Sequence, residues 1–203
     1  MAAWEMLAHR LAAKCDIHVP QARLLDSGDR DQSTFLVKRF DRTASGGRRA
    51  FVSAMTLTQR RDGEPGASYL ELVELLQRQG AETLGDTHQL FRRIVFSILI
   101  HNTDDHLRNH GFFIEERGIR LSPAFDMNPS VESDDLTLAI NETETLCDVE
   151  IARAAHKMYA LTLKEANGII AEVEGAVKSW RDEAEALRIR RSEQDQIAAA
   201  FAT

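Results

Sequence analysis

Between Ile100 and Gly111 the sequence packs two carboxylates (Asp104, Asp105), two amides (Asn102, Asn109), three imidazoles (His101, His106, His110) and Arg108. Asp104 and Asn109 stand in a D-x-x-x-x-N interval, and Asp126 follows in LSPAFDMN. A positioned carboxylate can take the proton from a hydroxyl nucleophile. A second carboxylate and an amide are hard oxygen donors of the kind that hold Mg²⁺ alongside water and phosphate. The Asp104/Asn109 pair in isolation reads more simply as a helix cap and a turn residue. The histidines fall as H-x₄-H-x₃-H, which matches no zinc spacing, and read as hydrogen-bonding residues. Asp105 reads as solvent-facing.

Chemistry of this kind needs rigid neighbours. Residues 85–101 have helical periodicity, with Leu90, Ile94, Ile98 and Phe91, Val95, Leu99 recurring on adjoining rows. Such a helix is about 25 Å long at 1.5 Å per residue. After the polar stretch, 112–114 and 119–121 read as a hairpin, and PAFDMNPS as a loop. Upstream, 2–14 reads as an amphipathic helix with Trp4, Leu7, Ala8 and Leu11 on one face. Strands at 22–25 and 34–37 flank an Asp/Ser/Gly turn, and TASGGRR turns the chain into a short strand near 50–52. RRDGEPGAS is a polar loop, and YLELVELLQRQ after it is helical. The acidic segment 131–148 takes no assignment and reads as a solvated surface. Helices follow near 149–158, 162–185 and 190–201. The expected class is mainly α with small antiparallel β elements.

The 203 residues are 43% apolar and 28% charged, enough for a core and too ordered in pattern for disorder. A net charge of −7 excludes bulk electrostatic binding of nucleic acid by this chain alone. Cys15 and Cys147 make neither a metal nor a redox spacing, so a reducing, cytoplasmic setting is expected. Glu5, His9 and Arg10 interrupt the first apolar stretch, which is neither a signal peptide nor a membrane span.

Protein kinases use the D-x-x-x-x-N interval in their catalytic loop, where the Asp accepts the substrate hydroxyl proton and the Asn holds Mg²⁺. NTDDHLRNHGFFI followed by LSPAFDM resembles the C-terminal half of the HipA-like serine/threonine kinases, the toxins of bacterial toxin–antitoxin pairs. LAAKCDIHVPQARLL, FLVKRFDR and DGEPGASYLELVELL resemble further pieces of that family in the same order. The resemblance covers most of residues 4–126. It implies a protein-kinase-like C-lobe, ATP and Mg²⁺ as cofactors, and a protein Ser/Thr substrate. It implies Asp104 as catalytic base, Asn109 and Asp126 as metal ligands, and His106 as organiser of the loop. Lys38, Arg39 and Phe40 match the hinge, whose backbone would meet adenine with Phe40 flanking it. Asp41 and Arg42 would bond locally.

The resemblance implies one domain over 1–203, with a hinge hairpin at about 20–52, a catalytic loop at 102–110, a metal loop at 122–130 and a helical tail at 149–203. The family's phosphate-gripping loop and phosphate-pairing lysine have no counterpart in this sequence. Losing them would cost about two powers of ten in rate or more, about 3 kcal/mol or more. Two functions are therefore expected from the resemblance: a HipA-like kinase or its catalytic lobe, or a non-catalytic module that contacts an antitoxin or a separate N-lobe subunit.

Overall fold

The computed structural model describes residues 2–26 and 33–201. Helix α1 (Ala2–Lys14) buries Met6, Leu7, Ala8, Leu11 and Ala12, while Trp4 lies half-buried against Trp180, ring centroids 6.4 Å apart. Strands β1 (Ala22–Asp26) and β2 (Ser33–Val37) pair antiparallel, Ala22 opposite Val37 and Asp26 opposite Ser33. The Asp/Ser/Gly turn expected between them lies outside the described residues.

Strand β3 (Phe51–Ser53) leads into α2 (Ala54–Thr58), a single short turn with too few residues to show periodicity. Its start is set by Ser53, whose side chain accepts from the Thr56 amide. Helix α3 (Tyr69–Gln79) begins at a reciprocal capping box between Ser68 and Glu71, which satisfies two otherwise orphaned amides. Helix α4 (Thr83–Leu99) is the centre of the packing. Leu90, Phe91, Ile94, Val95 and Phe96 are fully buried, each contributing about 1.5–3 kcal/mol of apolar burial. Helix α3 packs on one side of α4, and the tail helices α5 (Val149–Ala154) and α6 (Leu163–Val177) pack on it as well.

Strands β4 (Gly111–Glu115) and β5 (Gly118–Leu121) form the expected hairpin, and β3 joins it to make a three-stranded antiparallel sheet in the order β3–β4–β5. Two glycines are required there. A Cβ on Gly111 would sit 2.2 Å from the Phe51 ring; one on Gly118, at φ +136°, would sit 2.2 Å from the Gln79 carbonyl oxygen. The carboxylate of Asp86, on α4, fastens the sheet by accepting from Arg120 Nε and the Leu121 amide, both at 2.9 Å.

The tail departs from expectation at two breaks, the first where the helix read near 149–158 stops at Ala154 and a 3₁₀ turn, His156–Tyr159, follows. The single helix read over 162–185 is two, α6 and α7 (Trp180–Ala186). At the break the Ser179 hydroxyl donates to the Ala176 carbonyl at 2.8 Å, a local bond that competes with helix continuation. Trp180 is then free to stack on Phe201 with centroids 4.5 Å apart. Helix α8 (Arg191–Ile197) and a closing 3₁₀ turn (Ala198–Phe201) complete the tail. Among the described residues no helix is long and apolar enough to cross a membrane.

Candidate active site

The polar stretch begins where α4 stops. His101 takes a left-handed conformation, φ +48°, and turns the chain off the helix axis; its Nδ1 lies 3.1 Å from the Ala200 carbonyl of the closing 3₁₀ turn. Asn102 is buried. Its amide N–H donates to the Ser97 carbonyl at 2.8 Å, and its Oδ1 accepts from the Asn128 amide at 3.1 Å. One side chain thus ties the 102–110 loop to the 122–130 loop. Leu107 drops into the core, and Asn109 closes the loop on itself, its amide donating to the His106 carbonyl at 2.8 Å and its Nδ2 to the Asp104 carbonyl at 3.2 Å. The chain then enters the sheet, with the His110 carbonyl accepting from Ala54.

Asp104, Asn109 and Asp126 line one cleft of about 550 Å³. Asp104 and Asp126 are exposed to it and Asn109 is largely buried beneath. Asp126 has φ +58°, a left-handed backbone that Asp tolerates better than most residues. The opposite wall comes from segment 131–148, read from sequence as a solvated surface. Thr137 Oγ1 donates to the Thr103 carbonyl at 2.8 Å, and the cap residue Ser68 lies 2.9 Å from the carbonyls of Ala139 and Asn141. The segment escaped assignment because cross-chain carbonyl bonds, not periodic apolar residues, give it shape. Four carboxylates line the cleft (Asp104, Asp126, Glu132, Asp135), and no lysine or arginine is among the described lining residues.

Asp126 also borders a second, more apolar slot of about 340 Å³ between α1, β2 and the 122–130 loop, walled by Pro20, Phe35, Val37 and Phe125. Glu5 faces into it. Burial and the negative charge of Asp126 push the Glu5 carboxyl up, against a smaller pull from the chain's amino terminus. Phe40 sits beside this slot in a different role. Its ring packs with Phe51, Phe113 and Phe125 at centroid distances of 5.5, 5.8 and 5.6 Å, and it is not among the residues lining the slot. The Lys38 amide donates to the Gln21 carbonyl at 2.8 Å. Arg39 makes a bidentate pair with Asp41, at 2.8 and 2.6 Å, so that side chain is turned to a local partner.

The reading of Asp105 as solvent-facing is wrong. It is 4% exposed, and its Oδ2 accepts from Tyr69 Oη at 2.7 Å and Ser97 Oγ at 3.2 Å, while Oδ1 lies 2.9 Å from His110 Nε2. Burial on its own would raise this carboxyl. The adjacent His110 imidazole and the two hydroxyl donors outweigh it and hold Asp105 below the usual carboxylate range. Arg93, buried behind the loop, donates to the Ser122 carbonyl at 2.6 Å; burial brings its guanidinium down to about 10, opposed by Asp105 and Asp86. His106 is half-buried, and its Nδ1 has no hydrogen-bond partner among the described residues.

Among the described residues, no three His, Cys, Asp or Glu side chains converge as a protein-only metal cage. One exposed carboxylate, Asp126, and one amide, Asn109, instead fit a Mg²⁺ ion that completes its shell with phosphate and water. A polyanion could enter a cleft lined by four carboxylates only with a cation to neutralise it.

The family model for the HipA-like C-terminal domain matches residues 1–180. The chain belongs to this family. Two curated relatives, both from Sinorhizobium fredii, bear kinase names. "Putative kinase Y4dM" is 29% identical over 181 residues, covering 81% of this chain and 41% of the relative. "Putative kinase Y4mE" is 25% identical over 91 residues, covering 43% and 22%. The chain therefore spans less than half the length of these relatives. Among solved structures, the HipA, HipB and operator DNA complex of the Shewanella oneidensis MR-1 toxin–antitoxin system superposes with a TM-score of 0.74 at 17% identity, covering 99% of this chain and 53% of that one. The Helicobacter pylori proinflammatory kinase CtkA gives 0.55 at 11% identity, covering 90% and 86%. At these identities the likeness establishes the fold: mainly α with small antiparallel sheets, a kinase-like lobe.

Proposed function

We propose that this HipA-family domain is the catalytic lobe of a serine/threonine protein kinase. One observation carries the reading: Asp104, Asn109 and Asp126, drawn from two loops, open into one cleft that adjoins an apolar slot at the hinge strand. Asp104, exposed on an anchored loop, would take the proton from a substrate Ser or Thr hydroxyl as that oxygen bonds to the γ-phosphorus of ATP and the bond to the ADP leaving group breaks. Asn109 and Asp126 would hold Mg²⁺, which would supply charge neutralisation. Phe35, Val37 and Phe125 offer the apolar surface for the base. His106 organises the loop through its backbone carbonyl, which receives the Asn109 amide.

The cationic grip on the phosphates comes from outside the described residues of the cleft. The structural neighbour that holds HipB and operator DNA supports a toxin–antitoxin role with a protein antitoxin as partner; with a net charge of −7, contact with DNA would run through that partner. A second reading, a non-catalytic module docking on an antitoxin or an N-lobe subunit, is favoured by one feature. Hairpin β1–β2 exposes Leu25, Leu36 and Val37 at 41, 37 and 39%. Radiolabelled γ-phosphate transfer to Ser/Thr substrates separates the two. The kinase reading expects transfer by the protein and its loss in Asp104→Asn with folding intact; full activity in that variant defeats it.

A further inference from the structure

We infer that Asp105 is the positioning residue of the site, the buried side chain that sets where the Asp104 carboxylate points. This deepens the kinase reading and rests on it. The inference starts from a contrast between neighbours. Asp104 is exposed in the cleft, and Asp105 is sealed beneath it at 4% exposure. A carboxylate is rarely buried without compensation, and here three elements supply it. Tyr69 is the first residue of α3, Ser97 lies in the last turn of α4, and His110 stands at the entry to β4. All three converge on the two oxygens of Asp105 at 2.7, 3.2 and 2.9 Å. The Tyr69 and His110 rings also meet edge to face, centroids 5.6 Å apart, so each of these partners packs against the other.

The consequence for Asp104 is geometric. The two residues share a peptide unit, so holding the Asp105 side chain on three separate elements holds the backbone from which Asp104 projects. The Asn109 amide on the Asp104 carbonyl then closes the loop from the other side. Tyr69 extends the effect to the segment that walls the cleft, because its neighbour Ser68 holds the carbonyls of Ala139 and Asn141, just beyond the lining residues Leu136 and Thr137. The base and the wall facing it are referenced to one point, the start of α3. Asp126 stands on the other loop, tied to Asn128 and through it to Asn102, so of the two proposed metal ligands only Asn109 shares the loop that Asp105 holds.

That separation makes the inference testable. Asp105→Asn keeps the volume and one oxygen but loses the charge. At saturating Mg-ATP it should lower kcat by about 10- to 100-fold, the scale of a small misplacement of a reacting group, with a smaller rise in KM for ATP, since Asp126 keeps its place while Asn109 shares the loosened loop. Tyr69→Phe, which keeps the ring, should lower kcat by a smaller factor in the same pattern. A wild-type kcat in Asp105→Asn, or a parallel loss of kcat and ATP affinity, overturns the inference. Hydrogen exchange provides a second readout that needs no activity. Amides 102–109 should exchange at least about 10-fold faster in Asp105→Asn while α3 and α4 keep their protection; unchanged loop protection overturns the inference whatever the transfer assay gives. Asp104→Asn, run alongside, tests the kinase reading by itself. If that variant transfers at the wild-type rate, Asp104 is not the base, and exchange alone decides whether Asp105 fixes the loop.

Discussion

The 102–110 loop and the β1–β2 hairpin border neighbouring parts of one cleft system, and they are held in opposite ways. The loop has little contact with solvent behind it. Asn102, Asp105, Leu107, Asn109 and His110 are all buried, and its polar atoms bond to α3, α4 and the 122–130 loop. The hairpin lies against α1 and leaves Leu25, Leu36 and Val37 more than a third exposed. The region expected to do proton chemistry is preorganised by this chain, and the region expected to receive the nucleotide base presents open apolar surface. Preorganised dipoles and fixed groups are where transition-state stabilisation comes from, so the anchored half is the one where small changes should matter most.

Substitutions should expose that asymmetry. The largest effect is expected from Asp104→Asn, a loss of about 100- to 10,000-fold in transfer for removal of a general base, with an unchanged melting temperature because the side chain is exposed. Asp105→Ala comes next and acts on stability. It strands the Tyr69 and Ser97 hydroxyls without their buried acceptor and removes the carboxylate 2.9 Å from His110 Nε2, at a cost of about 3–5 kcal/mol in urea unfolding. On the hairpin, Leu36→Ser should cost under about 1 kcal/mol, in keeping with its exposure. A larger loss there, or a smaller one at Asp105, would erase the contrast.

Acid sharpens the same comparison. Asp105 is held below the ordinary carboxylate range in the folded protein, so on acidification the unfolded chain takes up this proton first. Its contribution to stability is complete above the unfolded value of about 3.9 and is lost as pH falls through the lower, folded one. Stability measured by urea midpoints should therefore decline less steeply below about pH 4 in Asp105→Asn than in wild type. Equal slopes would mean that the burial of Asp105 is not coupled to folding.

Much of this architecture is legible in the residues. YLELVELLQRQ forms α3 over Tyr69–Gln79, since its apolar spacing and its burial agree. The strand pairs and the two loops carrying Asp104 and Asp126 also fall where hydrophobic pattern and turn residues place them. What stayed hidden shares one cause, long-range side-chain partnership. Asp105 has the composition of a surface residue, and its partner Tyr69 is 36 positions away. Segment 131–148 has no period because hydrogen bonds from Ser68 to its carbonyls, and from its own Thr137 to the Thr103 carbonyl, shape it. The break at Lys178–Ser179 is the exception, a local one marked by the Ser179 hydroxyl donating to the Ala176 carbonyl.

The central claim is that Asn109 and Asp126 present this cleft to a magnesium nucleotide. Thermal denaturation with and without Mg-ATP, on the protein and on Asp126→Ala, tests it most directly. A ligand at ten times its Kd adds about 1.4 kcal/mol to the folded state, or ~3–6 °C for a chain of this size. The account predicts a rise of that order which needs Mg²⁺ and is lost in Asp126→Ala. No rise at millimolar Mg-ATP, or an equal rise in the variant, would contradict it.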